Sequence, residues 1–343
     1  MPSLSIKTIK GNKYLYLQDR VKVNAKSISL QKYIGRCEKT TIEEVVSKIS
    51  ELENLRLITY LNYRLNHYQY TILDTAGATA LETIRYYYER FKERYPDESE
   101  HCLDAMYLRY VQGTTAIEGN TITLREAEEL LEHDISPAGK KMEEIYEIHN
   151  FITLRRHLED YSGDITETLI KKVHELLLRG ILHSPGEYRT IQMGIEKAAF
   201  EPPPAILVPD EMKRLMAWYR KNRKTLAPFE LAILFHAQFE RIHPFVDGNG
   251  RVGRALATVI LERAGYPTLY LGLEHRSAYL DALAEADEGD TRAIVQTLHA
   301  IYCNQHRSIT EGMKQQQSTE GYPKREPYAG VVKAFRKLKR PPP

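Results

Sequence analysis

Residues 243–254 read His-Pro-Phe-Val-Asp-Gly-Asn-Gly-Arg-Val-Gly-Arg, and this stretch decides how the rest of the chain is interpreted. Apolar residues recur at helical spacing before it, from about residue 229 to 242, and after it, from about 249 to 264. His243 precedes a proline, and that position disfavours the α conformation. The pattern therefore predicts two helices joined by a short loop, with a glycine-rich turn at the start of the second helix.

The residue types at this turn suit the binding of a phosphate chain. Unpaired backbone amides at a helix start attract anions, and Gly248 and Gly250 let a ligand approach the backbone closely. Arg251 and Arg254 are three residues apart, so both can reach the same anion from one side of the helix. The sequence therefore indicates a polyphosphate site at this helix start.

Two further side chains in the segment suit chemistry on such a phosphate. His243 is the only one that titrates near neutral pH, and Asp247 offers a carboxylate of the kind that holds Mg²⁺ beside phosphates. The alternative is a plain helix–loop–helix turn with a core histidine and surface arginines. The combination of base, carboxylate, glycines and arginines within one segment favours transfer from a polyphosphate.

This segment resembles the signature of the Fic (Fic/Doc, Fido) family, His-Pro-Phe-x-Asp-Gly-Asn-Gly-Arg-x-x-Arg, at every defined position. Residues 186–189 with 202–204 look like the family's flap, and residues 279–290 resemble the stretch that closes its adenosine pocket. The resemblance covers roughly residues 100–312 and implies a mainly α fold, a Fic-type helical bundle with a β-hairpin flap. It also implies a protein adenylyltransferase, a nucleotidyltransferase that moves AMP from ATP to a Ser, Thr or Tyr hydroxyl of a target protein.

The resemblance implies a role for each matching residue. His243 would be the general base, and Asp247 would hold Mg²⁺. The nucleotide would be bound by Asp247, Gly248, Asn249, Gly250, Arg251, Arg254, Tyr279 and Asp287. The flap residues that would pair with an extended target segment are Ile195, Glu196, Lys197 and Ala198. Some relatives have Asn in place of Asp287, so the preference for one base stays open.

A second informative segment, residues 114–120, reads Thr-Thr-Ala-Ile-Glu-Gly-Asn and resembles the family's inhibitory motif. The resemblance implies an inhibitory helix near residues 108–120 in which Glu118 pairs with Arg254. An arginine held by a carboxylate cannot also hold the γ-phosphate, so the resting protein would be autoinhibited. The alternative, a helix that ends at Gly119 and Asn120, does not exclude this interpretation.

The sequence predicts four parts: a β-hairpin extension at 1–40, a helical region at 41–112, the Fic domain at 113–312 and a polar, basic tail at 313–343. The hairpin is predicted from apolar segments at 13–17 and 21–23 around polar residues 18–20. Thr40 and Glu43 resemble a capping box that starts the first helix. The last helix of the Fic domain is expected at 291–312, and the tail has too few apolar residues for a core of its own.

Composition limits the other functions. The net charge of +2 by itself argues neither for nor against nucleic acid, but the clear basic excess of a dedicated binder is missing, so nucleic acid is an unlikely partner. No apolar run approaches the roughly 20 residues that cross a membrane. Three distant cysteines and the lack of a signal-peptide pattern lead us to expect a cytoplasmic protein. The resemblance implies ATP and a protein target as partners, with possible self-modification and a possible homodimer. The alternatives are a de-AMPylase, a transferase of another nucleotide, and a Fic-domain regulator that binds nucleic acid or protein partners. A metal hydrolase built on His236, His243 and Asp247 lacks a closed ligand set.

Overall fold

The computed structural model describes residues 2–192, 201–316 and 329–339. They fall into two compact units, the first from residues 2–67, 78–97, 306–316 and 329–339, and the second from residues 68–77, 98–192 and 201–305. The chain leaves the first unit and returns to it, so these boundaries differ from the consecutive parts expected from the sequence. Among the helices that the structure describes, none is both long enough and apolar enough to cross a membrane.

Helices dominate the described residues, and the predicted mainly α fold with a small N-terminal β element is confirmed. The three strands are β1 (Ser3–Ile9), β2 (Asn12–Val23) and β3 (Lys26–Arg36). The helices within the described residues are α1 (Ile42–His67), α2 (Thr75–Arg94), α3 (Pro96–Ile117), α4 (Leu124–His133), α5 (Met142–Asp160), α6 (Glu167–Leu177), α7 (Val208–Asn222), α8 (Pro228–Ile242), α9 (Asn249–Arg263), α10 (Arg276–Asp287), α11 (Thr291–Gln305), α12 (Arg307–Gln316) and α13 (Ala329–Leu338).

The strands form one antiparallel sheet in the order β1-β2-β3. The hairpin predicted within residues 13–23 is wrong, because that whole stretch is one strand. Asp19 continues the inward side of the strand and accepts a hydrogen bond from Arg56 at 2.7 Å, so the polar residues there do not form a turn. The turns lie at Lys10–Gly11 and at Asn24, where the φ angles of 48°, 77° and 52° are left-handed.

The first unit has its core on the inner face of the sheet. Leu15 and Leu17 of β2 and Val45 of α1 are completely buried there. The segment predicted as a polar tail differs from that expectation, because Val331 and Phe335 of α13 pack into the same core. Their spacing of four residues places both on one face of the helix, which is enough to anchor a short segment whose composition is otherwise basic.

Two predicted helix limits need correction. The capping box lies one residue later than expected, because Thr41 and Glu44 exchange the two capping hydrogen bonds at 2.9 and 3.3 Å. Thr40 instead donates to the carbonyl oxygen of Arg36 at 2.8 Å. The helix expected at 291–312 is two helices, α11 and α12, which are separated at His306.

The second unit is built around the antiparallel pair α8 and α9, and both are confirmed close to their predicted limits. Glu230 in the first turn of α8 is completely buried and accepts hydrogen bonds from the backbone amides of Thr71, Ile72 and Leu73 at 2.7 to 3.0 Å. This carboxylate fixes the segment before α2 to the start of α8. The opposite end of α8 leads directly into the loop that carries His243.

Candidate active site

The loop between α8 and α9 depends on two left-handed residues. His243 ends α8 with φ 48° and ψ 61°, and its backbone N–H donates to the carbonyl oxygen of Phe239 at 3.0 Å. Gly248 starts α9 with φ 77°, and a Cβ at this position would lie 2.6 Å from a methyl group of Leu178. Gly248 is therefore required for its conformation and for the space it leaves.

Asn249 holds the loop from inside. Its Oδ1 accepts a hydrogen bond from the backbone N–H of Phe245, and its Nδ2 donates to the carbonyl oxygen of the same residue, both at 2.9 Å. The sequence predicts only a backbone contact from Asn249 to a nucleotide. In the structure its buried side chain also shapes the turn that presents the amides.

His174 supports the loop from α6, and no sequence pattern pointed to it. The backbone N–H of Gly186 donates to its Nδ1 at 2.7 Å, so the ring proton must be on Nε2, which donates to the carbonyl oxygen of Asp247 at 3.0 Å. Burial lowers the pKa of His174 to about 4, and the ring stacks on Phe245 with centroids 3.8 Å apart. His174 is therefore a neutral structural residue at physiological pH.

Arg189 links the base of the predicted flap to the loop. Its side chain is buried, and it donates to the carbonyl oxygens of His243 at 2.7 Å and of Pro203 at 2.6 Å. Its backbone N–H donates to the carbonyl oxygen of Pro244 at 2.9 Å. The flap residues predicted to pair with a target, Ile195 to Ala198, lie outside the described residues.

The environment of His243 suits a proton acceptor. Burial lowers the pKa of its imidazole, and the positive charge of Arg189 acts in the same direction. The backbone carbonyl of Glu240 and the carboxylates of Glu118 and Asp247 offset this only in part. The ring is therefore unprotonated at neutral pH, as a general base must be.

Asp247 presents a partly exposed carboxylate beside His243. Its Oδ1 accepts from the backbone N–H of Gly248 at 2.6 Å, and its Oδ2 lies 3.1 Å from Arg251 Nη2. Within the described ranges no three His, Cys, Asp or Glu side chains are grouped to hold a metal ion. A single carboxylate fits an Mg²⁺ ion that takes its other ligands from phosphates and water.

The predicted ion pair between Glu118 and Arg254 is present. Arg254 is buried, and its Nη2 lies 2.5 Å from Glu118 Oε1. The same guanidinium donates to the hydroxyl of Thr114 at 2.7 Å, to its carbonyl oxygen at 3.0 Å, and to the hydroxyl of Tyr279 at 3.3 Å. The arginine is thus held on several sides by residues of the second unit.

The Glu118 carboxylate occupies the start of α9. Burial raises its pKa, but the charge and hydrogen bond of Arg254 outweigh burial, so the pKa lies below the ordinary value. A Cβ added to Gly250 would collide with Glu118 Oε1, which shows how closely the carboxylate covers the first turn. The carboxylate therefore lies where a bound phosphate would meet the helix dipole.

Glu147 on α5 is a site residue that the sequence analysis missed. Its Oε1 lies 2.5 Å from Arg251 Nη1, and its Oε2 accepts a hydrogen bond from Asn120 Nδ2 at 2.8 Å. Burial raises the pKa of this carboxyl, while the charge of Arg251 acts in the opposite direction. No local pattern marks Glu147, because only the packing of α5 brings it to the arginine.

Helix α10 contributes two contacts close to the ion pair. Arg276 donates to the carbonyl oxygen of Ile117 at 2.9 Å, at the end of α3. The hydroxyl of Tyr279 lies 2.8 Å from His236 Nε2, and this tyrosine is almost fully buried. Burial raises the pKa of Asp287, at the other end of α10, to about 6, and its contact with a nucleotide stays a prediction.

A buried titratable pair lies behind the arginine. Glu240 Oε1 is 3.8 Å from His236 Nδ1, and burial raises the pKa of Glu240 to about 8 while it lowers that of His236 to about 3. Both groups are therefore neutral at pH 7. A Cβ at Gly253 would lie 2.6 Å from an atom of each, so a glycine is needed for α9 to pack here.

Comparison with known proteins agrees with this site. The model of the Fic/DOC family matches residues 164–261. A probable protein adenylyltransferase of Aquifex aeolicus is 39% identical over 157 residues, which are 46% of this chain and 48% of that protein. The protein adenylyltransferase Fic of Drosophila melanogaster is 33% identical over 195 residues, 55% of this chain and 39% of that protein. The chain thus spans about half or less of the length of these curated relatives.

Solved structures give the same answer for the fold. A Fic family protein from Desulfovibrio desulfuricans aligns with a TM-score of 0.60 and 27% identity over 74% of this chain and 79% of its own. Fic-1 from C. elegans aligns with a TM-score of 0.62 and 22% identity over 80% and 88%. The signature at 243–254 also falls inside the matched residues, so residues 164–261 of this chain match the Fic/DOC family.

Proposed function

We propose that this chain transfers AMP from ATP to a hydroxyl group of a target protein, and that Glu118 keeps the resting enzyme nearly inactive. The observation that carries the proposal is one short segment that joins the unprotonated His243 to Asp247, Arg251 and Arg254. The two relatives described above are named as protein adenylyltransferases, which supports this class of reaction.

In this mechanism the hydroxyl oxygen of the target attacks the α-phosphorus of ATP while His243 accepts its proton. The bond from the α-phosphorus to the bridging oxygen breaks, and pyrophosphate leaves with that electron pair. The backbone amides of residues 248–250 donate to phosphate oxygens and stabilise the charge that develops there. Arg251 and Arg254 hold the β- and γ-phosphates, which orients the α-phosphorus.

Asp247 is the residue that would hold Mg²⁺ in this mechanism. Its carboxylate side chain is 55% exposed, so phosphates and water can reach the ion from the open side. When bound, the ion neutralises charge on the triphosphate. Excess EDTA should therefore abolish AMP transfer, and Asp247→Ala should lose most of it.

The resting state follows from the geometry of Arg254. While its guanidinium is paired with Glu118, it cannot hold the γ-phosphate, and the carboxylate repels that phosphate. A nucleotide could then bind with its α-phosphate displaced. A misplacement of ~1 Å lowers the rate about a hundredfold.

Radiolabelled ATP tests both parts of the proposal. The full chain, Glu118→Gly, His243→Ala and the double variant are incubated with labelled ATP, alone and with a cell lysate. Glu118→Gly should increase labelling at least about tenfold, and both variants without His243 should give none. Glu132→Gly, a change at an exposed position in the last turn of α4, is the matched control and should resemble the parent.

Two results would overturn the proposal. Unchanged low labelling in Glu118→Gly would remove the inhibitory role, and undiminished labelling in His243→Ala would remove the base. Competition by unlabelled GTP, CTP and UTP in the same assay tests transfer of another nucleotide, because Asp287 leaves the preference for one base open.

Removal of AMP from a modified protein is the second candidate. The observation in its favour is the Glu118 carboxylate, which lies over the first turn of α9 and could orient a water molecule toward a phosphorus atom. Water would attack the α-phosphorus of the modified side chain and release AMP and the free hydroxyl. Mass spectrometry of an AMP-modified target, incubated with the parent chain and with Glu118→Gln, distinguishes the two directions.

A further inference from the structure

The basic charge of this chain is concentrated in the first unit. Residues 1–37 contain eight lysines and arginines and one acidic residue, Asp19, although the whole chain has a net charge of only +2. The remaining sequence is therefore net acidic. A local excess of one sign attracts a polyanion even when the average charge of the protein is near zero.

Strand alternation places much of this charge on the side of the sheet that faces away from the core. We call it the outer face, and the side chains that matter on it are Lys7, Tyr14, Tyr16, Arg20, Tyr33 and Arg36. Asp19, the only acidic residue in the three strands, is buried on the inner side and paired with Arg56. No carboxylate of the strands therefore opposes the positive charge of the outer face.

Three tyrosines lie together on the outer face. The ring centroid of Tyr33 is 5.3 Å from that of Tyr16 and 6.2 Å from that of Tyr14, and 48% of Tyr33 is exposed. Lys7 Nζ lies 4.7 Å from the Tyr16 centroid, and the Arg36 guanidinium carbon lies 5.9 Å from the Tyr14 centroid. Aromatic rings and cations therefore alternate over this part of the sheet.

An open depression on the outer face continues from the tyrosines along the strands. Asp19 and Leu30, whose side chains are buried on the inner side, form part of its lining, and the side chains that open onto it are those of Ser3, Gln18, Arg20, Ser29 and Gln31. These side chains supply hydroxyls, amides and a guanidinium, which are groups that contact phosphates, sugars and base edges. The surface thus offers stacking at one end and polar contacts at the other.

We propose that the outer face binds single-stranded nucleic acid. Exposed aromatic rings beside cations stack unpaired bases and contact the phosphates between them, whereas the bases of a duplex are already stacked on one another. An anionic membrane or an acidic peptide would use the charge but not the tyrosines. The proposal departs from the expectation drawn from net charge, because that average hides the local excess, and it does not depend on the proposed enzymatic function.

Fluorescence anisotropy with the full chain and a labelled 12-nucleotide oligouridylate tests the proposal. Binding should be saturable at 50 mM salt. If four phosphates are neutralised, the affinity should fall about 50-fold between 50 and 200 mM salt. A 12-base-pair duplex should bind more weakly than the single strand at both concentrations.

Matched variants separate stacking from charge. Tyr16→Leu with Tyr33→Leu should weaken binding about tenfold or more, while the two Phe replacements should keep it, because the rings remain. Lys7→Ala with Arg36→Ala should weaken binding and reduce its dependence on salt. Circular dichroism checks that each variant is folded, and the Phe replacements keep the test informative if the Leu variant is not.

Control variants carry the same changes at exposed positions of the second unit, namely Tyr146→Leu and Lys221→Ala with Lys224→Ala, and should bind like the parent. The proposal fails if no binding occurs at 50 mM salt, or if controls and outer-face variants lose affinity equally. It also fails if polyglutamate competes as well as the oligonucleotide does. Binding of phosphatidylserine vesicles without binding of the oligonucleotide would assign the face to a membrane instead.

Discussion

Glu147 Oε1 lies 2.5 Å from Arg251 Nη1, and the same carboxylate accepts a hydrogen bond from Asn120. Asn120, three residues after the end of α3, therefore connects the inhibitory segment to Arg251 through Glu147 on α5. Glu118 engages Arg254 directly, and Asn120 supports the carboxylate that engages Arg251. Both arginines proposed to hold the phosphates are thus occupied in the resting state.

Glu147→Gln tests this second contact. The amide keeps the shape of the side chain but removes a negative charge beside Arg251, so affinity for ATP should rise about fivefold, or roughly 1 kcal/mol. Titration calorimetry with Mg²⁺ and ATP measures it. Glu143→Gln, an exposed change on the same helix, is the control, and equal dissociation constants for Glu147→Gln and the parent would contradict the prediction.

The pH dependence of transfer should reflect the lowered pKa of His243. A lowered pKa keeps the ring unprotonated, so the rate of the Glu118→Gly variant should stay level from pH 8 to below the ordinary histidine value of about 6.5 and then fall. Removing Glu118, whose charge raises the pKa of His243, shifts the fall further toward acid. Initial rates with labelled ATP provide the profile, and a midpoint above pH 6.5 would contradict the assignment.

Acid should not release the ion pair under mild conditions. The pKa of Glu118 lies below its ordinary value, so the pair forms fully above that value and is lost only as pH falls through the lowered pKa. Labelling by the parent chain should therefore remain low from pH 8 to pH 5. A rise in labelling across this range that Glu118→Gly does not share would contradict the prediction.

Glu240 should make the second unit less stable as pH rises. Its folded pKa is raised to about 8, so between about pH 4.5 and 8 the folded state holds a proton that the unfolded state has lost, and stability decreases across that window. Glu240→Gln removes this dependence. Thermal melts at pH 5, 7 and 9 measure it: the melting temperatures of the variant and the parent should diverge with rising pH, and parallel curves would contradict the prediction.

Gly248→Ala should damage the loop for two reasons. The φ of 77° strains an alanine by roughly 1 kcal/mol, and its Cβ would collide with Leu178. In the Glu118→Gly background, transfer should fall at least about a hundredfold. Gly139→Ala is a matched control, since its φ is 76° and a Cβ there meets nothing within 4 Å. Equal activities of the two variants would show that the contact with Leu178 does not matter.

The sequence predicted the part of the site that is local. The proline after His243, the glycines and the helical periodicity fix the loop between α8 and α9 from neighbouring residues alone. No local pattern predicts the pairing of Glu118 with Arg254, because 136 residues separate them. That prediction came from the resemblance. Nothing in the chain around Glu147 or His174 distinguishes these residues, since each acts through contacts that only the packed helices create. Arg189 lies in the flap-like segment, but the resemblance gave its side chain no role.

The errors at the N-terminus have a similar origin. Polar residues 18–20 suggested a turn, but Asp19 finds Arg56 on α1, and this partner lets the strand continue. The actual turns were marked by Lys10–Gly11 and Asn24, residues that adopt left-handed φ angles. In α13, the three buried apolar side chains of Val331, Val332 and Phe335 anchor a segment whose composition is otherwise basic.

Helix α10 contacts Arg254 of the ion pair through the hydroxyl of Tyr279, and its Arg276 donates to the carbonyl oxygen of Ile117, the residue before Glu118. Binding equilibria that share one element are linked, and the linkage is reciprocal. If closing the pair lowers the affinity for a ligand that contacts α10 by some factor, binding of that ligand lowers the equilibrium constant for closing the pair by the same factor. The fraction of active chains would then follow the free concentration of such a ligand, with no separate sensor domain required.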